Sequence, residues 1–123
     1  MTVSINSVTV DCDDVATVSA FWAAALDTPL DPEASKYFAS INRGGADLPR
    51  FLFIGVPEGK SAKNRMHLDL VVEGSVPRDQ EVARLVDLGA THVADKDEWG
   101  HSWAVLTDPE GNEFCVAGSP AGT

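Results

Sequence analysis

The chain runs twice through the same order of predicted elements, and this repetition limits its possible folds more than any other feature. Alternating β-branched residues predict a strand over 3–10, and apolar residues at spacings of three and four predict a helix over 15–26. The same patterns predict a strand over 66–72 and a helix between Pro77 and Gly89. Three pairs of corresponding positions lie 62 residues apart: Val10 and Val72, Leu26 and Leu88, and Phe53 and Cys115. The matched order predicts two similar modules.

The remaining segments predict further strands after each helix. Aromatic and β-branched residues mark these strands at 37–41, 51–56, about 90–94, 102–107 and 114–117. A turn over 108–112 separates the last two. We therefore expect an α+β fold with two βαβββ modules, at about 3–57 and 65–118, in a single domain over 1–123. The modules would form a curved mixed sheet around a cavity, which predicts a ligand site between the two halves.

The balance of charges argues against several classes of partner. Nine Lys and Arg residues against 19 Asp and Glu leave a formal net charge of −10, which repels nucleic acid and anionic membranes alike. No apolar run approaches the ~18 residues of a membrane span, and no basic and apolar leader follows Met1. Cys12 and Cys115 are too few and too far apart for a secreted disulfide framework. We expect reduced thiols and a cytoplasmic protein.

Four segments of the chain together resemble one known family. They are the helix over 14–26 with Phe21 and Trp22, Asn-Arg-Met-His-Leu-Asp-Leu at 64–70, Leu-Val-Asp-Leu-Gly-Ala-Thr at 85–91, and Asp-Pro-Glu-Gly-Asn-Glu-Phe-Cys-Val at 108–116. From about residue 3 to 117 the chain resembles a glyoxalase-like protein of the vicinal oxygen chelate superfamily, which includes glyoxalase I, bleomycin resistance proteins and extradiol dioxygenases. The resemblance implies paired βαβββ modules around a cavity, commonly in a homodimer.

The resemblance also implies where a metal would bind. Metal-dependent members hold a divalent ion with His, Gln or Glu side chains on the first and last strands of the modules. The matching positions here are Ser7 (or Ile5 at the strict spacing of 62), Phe53, His67 and Cys115. Only His67 is a good ligand, whereas a catalytic divalent site needs about three protein ligands. We therefore expect no cofactor and a protein that lacks the usual metal site.

An alternative keeps a divalent metal, either Zn, Ni, Mn or Fe, in a rearranged site. His67 and Cys115 would hold a soft ion if Asp69 or Glu113 joined them, because Zn²⁺ accepts nitrogen, sulfur and oxygen donors. Strand parity permits both choices, since Glu113 and Cys115 share one face of a strand, as do His67 and Asp69.

Polar residues near the strand over 66–72 are the candidates for catalysis. His67 and Asp69 share a face, so the carboxylate would orient the imidazole for general acid or base work, or the pair would form a structural hydrogen bond. Arg65 lies on the same face, where its guanidinium would bind a carboxylate or carbonyl oxygen or remain solvated.

A second group of residues is predicted to contact the ligand. In the geometry that the resemblance implies, Phe53 and Trp103 would form an apolar wall, with core packing as the alternative. Glu113 would face the pocket as an acid or as the partner of a cation, or be solvated. Cys115 belongs to the same group, and its alternative is a small buried hydrophobe. The Trp-Gly-His segment at 99–101 is either a loop that closes over the cavity or a surface turn.

Three functions follow from these observations. The first is a metal-independent small-molecule binding protein of the glyoxalase and bleomycin resistance type, with a cationic or aromatic ligand that suits the acidic chain. The second is an enzyme, a lyase, isomerase or dioxygenase, that uses His67 as a base or in a rearranged metal site. The third is a partner-binding module, which the acidity and the implied homodimer would support.

Overall fold

The computed structural model describes residues 2–45 and 48–118. The chain divides into two compact units, Met1–Gly59 and Lys60–Thr123, and each contains one helix and one mixed sheet. None of the helices in the described part of the chain has the length and apolar character that crossing a bilayer requires.

The first unit consists of β1 (Ser7–Cys12), α1 (Val15–Ala25), β2 (Phe38–Ile41) and β3 (Arg50–Gly55). β3 lies in the centre of the sheet, parallel to β1 and antiparallel to β2. Leu30 forms one isolated antiparallel β-bridge with Ile41 of β2, and the segment around Leu30 does not form a fourth strand. Pro29 and Pro32 flank Leu30 and lack N–H donors, so this segment cannot extend the ladder.

Helix α1 begins with a side-chain cap and is held by its apolar stripe. The Asp14 carboxylate accepts hydrogen bonds from the Thr17 hydroxyl (2.7 Å) and the Thr17 backbone N–H (3.2 Å). These two bonds hold the pKa of Asp14 below its ordinary value, and the bond from the hydroxyl has the larger effect. The stripe predicted from sequence is buried at Val15, Val18 and Trp22, which confirms the orientation of the helix.

The second unit has the same order of elements with one further strand. It consists of β4 (Leu68–Val71), α2 (Arg78–Leu88), β5 (Thr91–Glu98), β6 (His101–Thr107) and β7 (Glu113–Ala117). The strands lie in the order β4-β7-β6-β5, with β4 and β7 parallel and the other pairs antiparallel. Val82 and Leu85 bury one side of α2, and Gly89 ends the helix with a φ of 126°, a conformation that glycine adopts readily.

The structure confirms the α+β class and the repeated order of elements, and it corrects several boundaries. The first strand begins at Ser7 rather than at residue 3, because residues 3–6 are exposed and lie outside the sheet. β5 continues to Glu98 instead of ending near residue 94, because it pairs with β6 as far as Glu98, with one shift of register between His92 and Ala94. The first unit has three strands where four were predicted, for which the two prolines beside Leu30 are the physical reason.

The burial of the strands also corrects the spacing of 62. Cys115 is half-buried between the buried Phe114 and Val116 of β7. Phe53, 62 residues earlier, is itself buried and alternates with the half-buried Leu52 on β3, so the spacing of 62 does not join residues of the same face. Since a shift of one residue reverses the face of a strand, Phe53 lies on the core face of its sheet, where it is fully buried.

Candidate functional site

One face of the second sheet carries most of the predicted site residues. Asp69 on β4 lies opposite Cys115 on β7, and Cys115 lies opposite Val105 on β6. One pair further along, Trp103 lies opposite Ala117. The residues that alternate with these on β6 and β7 are buried, namely Ala104, Leu106, Phe114 and Val116. The sheet therefore has a core face and an open face, and the open face carries a carboxylate, a thiol and an indole.

The open face borders a cavity of about 800 Å³ within the second unit. Four of the residues predicted as site residues line it, His67, Asp69, Trp103 and Cys115, together with Trp99 and His101 from the β5–β6 hairpin. Apolar walls with a few convergent polar groups are typical of sites for small molecules. The structure thus brings together the histidine, the carboxylate and the thiol that the sequence analysis singled out separately.

His67 and Asp69 form a hydrogen-bonded pair at the start of β4. His67 directly precedes the strand and Asp69 is its second residue, so both side chains project to the same side. His67 Nδ1 lies 2.8 Å from Asp69 Oδ1. Because an ionised carboxylate only accepts hydrogen bonds, Nδ1 is the donor, and in the neutral ring the lone pair of Nε2 is left for another partner.

The Cys115 thiol completes a group that we call the donor cluster, His67, Asp69 and Cys115. One ligand atom from each of the three residues lies within 4.8 Å of those of the other two. The pKa of the Cys115 thiol is raised above its ordinary value, mainly by burial. The negative charge of Asp69 and the hydrogen bond between Asp69 and Cys115 raise the pKa further. A thiol kept in its protonated form is a poor nucleophile. Cys115 is therefore not an activated nucleophile, and its sulfur would bind a metal only by losing the thiol proton.

Two indole rings, which we call the tryptophan pair, form the aromatic part of the cavity lining. Trp99 and Gly100 are the two residues of the turn between β5 and β6, and both have positive φ, 52° and 78°, as a type I′ hairpin turn requires. The ring of Trp99 stacks on that of Trp103, with centroids 6.5 Å apart and 14° between the planes. A left-handed backbone costs a residue other than glycine about 1–2 kcal/mol. An aromatic pair contributes about 0.5–1.5 kcal/mol, so the stacking offsets much of that cost.

The segment at 99–101 is a two-residue hairpin turn closed by the pair Glu98 and His101, and it also contributes to the cavity lining. The sequence analysis named this segment but did not single out Trp99 as a ligand contact, because turn positions are normally assigned to Gly, Asn or Asp. The signal that points to it is a Trp-Gly dipeptide between two strands, with a second tryptophan four residues further on.

Glu113 lies at the start of β7 and binds the segment that precedes β4. Its carboxylate accepts hydrogen bonds from the Asn64 backbone N–H and from Lys63 Nζ, both at 3.0 Å. These two bonds hold the pKa of Glu113 below its ordinary value, and the bond from Asn64 has the larger effect. The Asn64 side chain in turn donates to the Met66 carbonyl (3.0 Å). Glu113 thus fixes the residues that directly precede His67.

The other two predicted ligand contacts lie elsewhere. Arg65 is exposed, in the short segment between Asn64 and His67. Phe53 is 0% exposed, in the core of the first unit with Ile41 and Phe51. The structure gives Phe53 the packing role that the sequence analysis held as its alternative.

The residues at the implied metal positions differ between the two units. In the first unit the positions that the resemblance implies hold Ser7 and Phe53. Neither is a ligand of the usual kind. In the second unit the donor cluster offers one nitrogen, one oxygen and one sulfur atom. These residues do not reproduce a His, Gln and Glu set drawn from both modules, but those of the second unit suit a borderline ion that accepts sulfur, such as Zn²⁺.

Two units of the same βαβ order, each with a mixed sheet, agree with the paired modules that the resemblance to the vicinal oxygen chelate superfamily implies. The family model of the glyoxalase-like domain matches residues 7–117, and the chain belongs to that family. A search of curated protein sequences finds no match.

Solved structures of the same fold come from several bacteria. A glyoxalase/bleomycin resistance protein/dioxygenase family enzyme from Burkholderia phytofirmans PsJN is 21% identical, with a TM-score of 0.77 over 94% of this chain and 98% of that one. A genomically encoded fosfomycin resistance protein from Listeria monocytogenes is 12% identical, with a TM-score of 0.74 over 98% and 97% of the two chains. A bleomycin-binding protein from Streptomyces verticillus, solved with copper(II)-bleomycin, is 15% identical, with a TM-score of 0.63 over 97% and 98%. At these identities the likeness establishes the fold alone.

Proposed function

We propose that this protein is a small-molecule binding protein of the glyoxalase and bleomycin resistance type, whose ligand lies against the tryptophan pair and beside the donor cluster. The observation that carries the proposal is the stacked Trp99 and Trp103 in the lining of a cavity of about 800 Å³. Trp99 is 84% exposed although it is stacked, so a large apolar surface is available to a ligand. Among proteins of the same fold, one is a bleomycin-binding protein and one a fosfomycin resistance protein.

The charge of the chain favours a cationic aromatic ligand. The net charge of −10 attracts cations, and the Asp69 carboxylate lies in the cavity lining beside the donor cluster. The faces of indole rings bind cations as well as flat apolar rings. We therefore propose a flat ring system that carries positive charge.

In this proposal ligand binding does not use the metal site of the family. Ser7 and Phe53 stand in the first unit at the positions where the resemblance implies metal ligands, and neither side chain is a ligand of the usual kind. Recognition then depends on stacking, on the apolar walls and on the Asp69 carboxylate.

The test is a charge series on one ring system. N-methylacridinium, neutral acridine and acridine-9-carboxylate at pH 8 differ in charge but little in size, and binding is followed by quenching of tryptophan fluorescence. We expect the cation to bind roughly 2- to 30-fold more tightly than the neutral ring, the range that cation–π contacts supply, and the anion to bind most weakly. Trp99→Ala and Trp103→Leu should each weaken binding.

Tyr37→Leu is the matched control, because Tyr37 is an exposed aromatic residue of the first unit. Its affinity for the cation should equal that of the wild type. If none of the three compounds binds, or if both tryptophan variants bind as the wild type does, the proposed site is wrong.

A second candidate is an enzyme, a lyase, isomerase or dioxygenase with a His-based or rearranged metal site. The observation that favours it is the 2.8 Å contact between His67 Nδ1 and Asp69 Oδ1, which orients the ring with Nε2 free to take a proton. Compounds that bind would be incubated with the wild type and with His67→Gln and followed by mass spectrometry. Conversion by the wild type, lost in His67→Gln, would favour this candidate over simple binding.

We further propose that the two units together form one domain, since the family model spans both as a single unit over 7–117. The protein is proposed to act as a homodimer because of the family resemblance. It is proposed to lie in the cytoplasm because Cys12 and Cys115 form no disulfide bond within the described residues. Light scattering after size-exclusion chromatography tests the dimer, and a monomeric mass over the whole concentration range would contradict it.

A further inference from the structure

A charged side chain lies on the buried side of α2. The buried residues of this helix are Arg78, Val82 and Leu85, at the spacings of four and three that mark an apolar stripe. Arg78 is only 8% exposed, although it opens a stripe that is otherwise apolar. Arginine is almost never buried to this degree unless its charge is paired. The burial of Arg78 therefore requires a physical reason.

The guanidinium of Arg78 has one hydrogen-bond partner within the described residues, the hydroxyl oxygen of Ser102, which accepts from Nη1. Nε is enclosed and bonds to nothing, whereas Nη2, which also lacks a partner, is not enclosed. No ion pair joins Arg78 to a carboxylate in the ranges 2–45 and 48–118. Since a guanidinium carries five N–H donors, most of the hydrogen-bonding capacity of Arg78 is unused.

Ser102 is the polar end of the core face of β6. It alternates along the strand with Trp103 and continues the row of the buried residues Ala104 and Leu106. Its oxygen accepts from Arg78, and its own hydroxyl proton has no acceptor in the part of the chain that the structure describes. Ser102 is also one of the residues that line the cavity. A hydroxyl donor thus lies beside a guanidinium that still has donors to offer.

The nearby carboxylates do not neutralise Arg78. Asp97 is the cross-strand neighbour of the serine and projects to the same face, but it is exposed and forms no ion pair. In the first turn of α2, Asp79 is exposed and Glu81 pairs with Arg84. The positive end of the helix dipole adds to the positive charge here. Because a buried charge without a partner is costly, this place favours a bound anion.

We propose that Arg78 and Ser102 form a binding site for an oxyanion group, a carboxylate or a phosphate. A guanidinium and a hydroxyl side by side donate to two oxygen atoms of one such group, and the planar fork of arginine suits these anions. Neither residue belongs to the donor cluster or to the tryptophan pair. The site therefore does not depend on the proposed function.

Two sources supply an oxyanion at this place, a free inorganic anion or the acidic group of an organic ligand in the cavity. Inorganic phosphate and phenyl phosphate, which differ by one aromatic ring, distinguish them. Each is titrated into the full chain by calorimetry at low ionic strength, where charges are least screened. Both should bind the wild type. Tighter binding of phenyl phosphate, lost in Trp99→Ala, would assign the group to an organic ligand, and equal affinities would assign a free anion.

Arg78→Met should weaken the binding of inorganic phosphate by about 10- to 150-fold, and Ser102→Ala by about 2- to 12-fold, the ranges for hydrogen bonds of charged and of neutral groups. Arg84→Met is the matched control, because it removes the same charge from an exposed position of the same helix. Its affinity should equal that of the wild type. Asp97→Asn removes a neighbouring negative charge and should tighten binding by about 1.5- to 5-fold.

Methionine suits the apolar stripe, so Arg78→Met should fold and melt at or above the midpoint of the wild type. Inorganic phosphate should raise the midpoint of the wild type and leave that of Arg78→Met unchanged. If phosphate does not bind the wild type, or if Arg78→Met binds it as Arg84→Met does, the proposal is wrong. Should Arg78→Met fail to fold, an unchanged affinity of Ser102→Ala would overturn the proposal equally. Inorganic phosphate carries no ring, so failure here and failure of the acridine series are separate results.

Discussion

Asp69 and Cys115 lie directly opposite each other on the parallel strands β4 and β7, and this pairing places a carboxylate beside a partly buried thiol. Between the parallel strands β1 and β3 of the first unit, no carboxylate lies opposite a thiol. Two sheets built in the same order thus present different chemistry on equivalent faces. The repeat in the chain is a repeat of architecture, and the donor cluster belongs to the second unit.

The core position of Phe53 predicts a large effect on stability. Phe53→Ala should lower the free energy of unfolding by about 3–5 kcal/mol, because a fully buried ring is removed. Leu52→Ala, at the half-buried neighbouring position on the other face, should cost clearly less. Urea denaturation of both variants measures the difference. Equal effects would contradict the register described for β3.

The hairpin turn predicts that a small substitution is destabilising through the backbone alone. A Cβ at Gly100 would meet nothing within 4 Å, but the φ of 78° is unfavourable for alanine. Gly100→Ala should therefore cost about 1 kcal/mol of unfolding free energy. Gly59→Ala is the control, since Gly59 also has open space around it but no positive φ, and it should be neutral or slightly stabilising.

Replacing Trp99 tests the balance between stacking and strain in the same turn. Trp99→Asn removes a stacking interaction worth about 0.5–1.5 kcal/mol and relieves a left-handed backbone that costs about 1–2 kcal/mol. Asparagine tolerates this conformation, so the thermal midpoint should stay unchanged or rise slightly. A large fall in the midpoint would mean that Trp99 supports the fold rather than the cavity surface.

The cap of α1 predicts a pH dependence. The pKa of Asp14 is lowered in the folded chain by its hydrogen bonds to Thr17, so the ionised carboxylate stabilises the fold. That contribution is fully present above the unfolded pKa of about 3.9 and is lost as the pH falls through the lower folded value. Asp14→Asn keeps a cap without the charge and should melt a few degrees below the wild type at pH 7.

Thermal melts of both proteins from pH 7 to pH 2.5 measure this difference. The gap between the two midpoints should be constant near neutral pH and should close at the acidic end. A gap that widens as the pH falls would contradict the sign of the pKa shift.

The contacts of Glu113 predict a local change in backbone protection. Glu113→Ala removes the acceptor of the Asn64 backbone N–H and the partner of Lys63. Hydrogen exchange of the Asn64 amide should become faster, because the amide loses the charged acceptor whose hydrogen bond protects it. Glu73→Ala, at an exposed glutamate of the same unit, should leave that amide unchanged.

Local patterns in the sequence were enough to predict the elements themselves. The apolar stripe of Val15, Val18 and Trp22 defined α1, and Gly89 marked the end of α2, because capping and helical periodicity are properties of neighbouring residues. The shared face of His67 and Asp69 was predictable for the same reason, since alternation along a single strand requires no partner strand.

The sequence pattern could not decide how strands pair, and the site depends on that pairing. The register that sets Asp69 against Cys115 results from packing over the whole sheet, as does the burial of Phe53, and one residue of slip reverses every side chain. The stack of Trp99 on Trp103 likewise requires the hairpin to close with both turn residues at positive φ. The chain's own order of residues thus determined which helices and strands form. Only the tertiary structure decided which side chains meet, because those contacts join segments far apart in the chain.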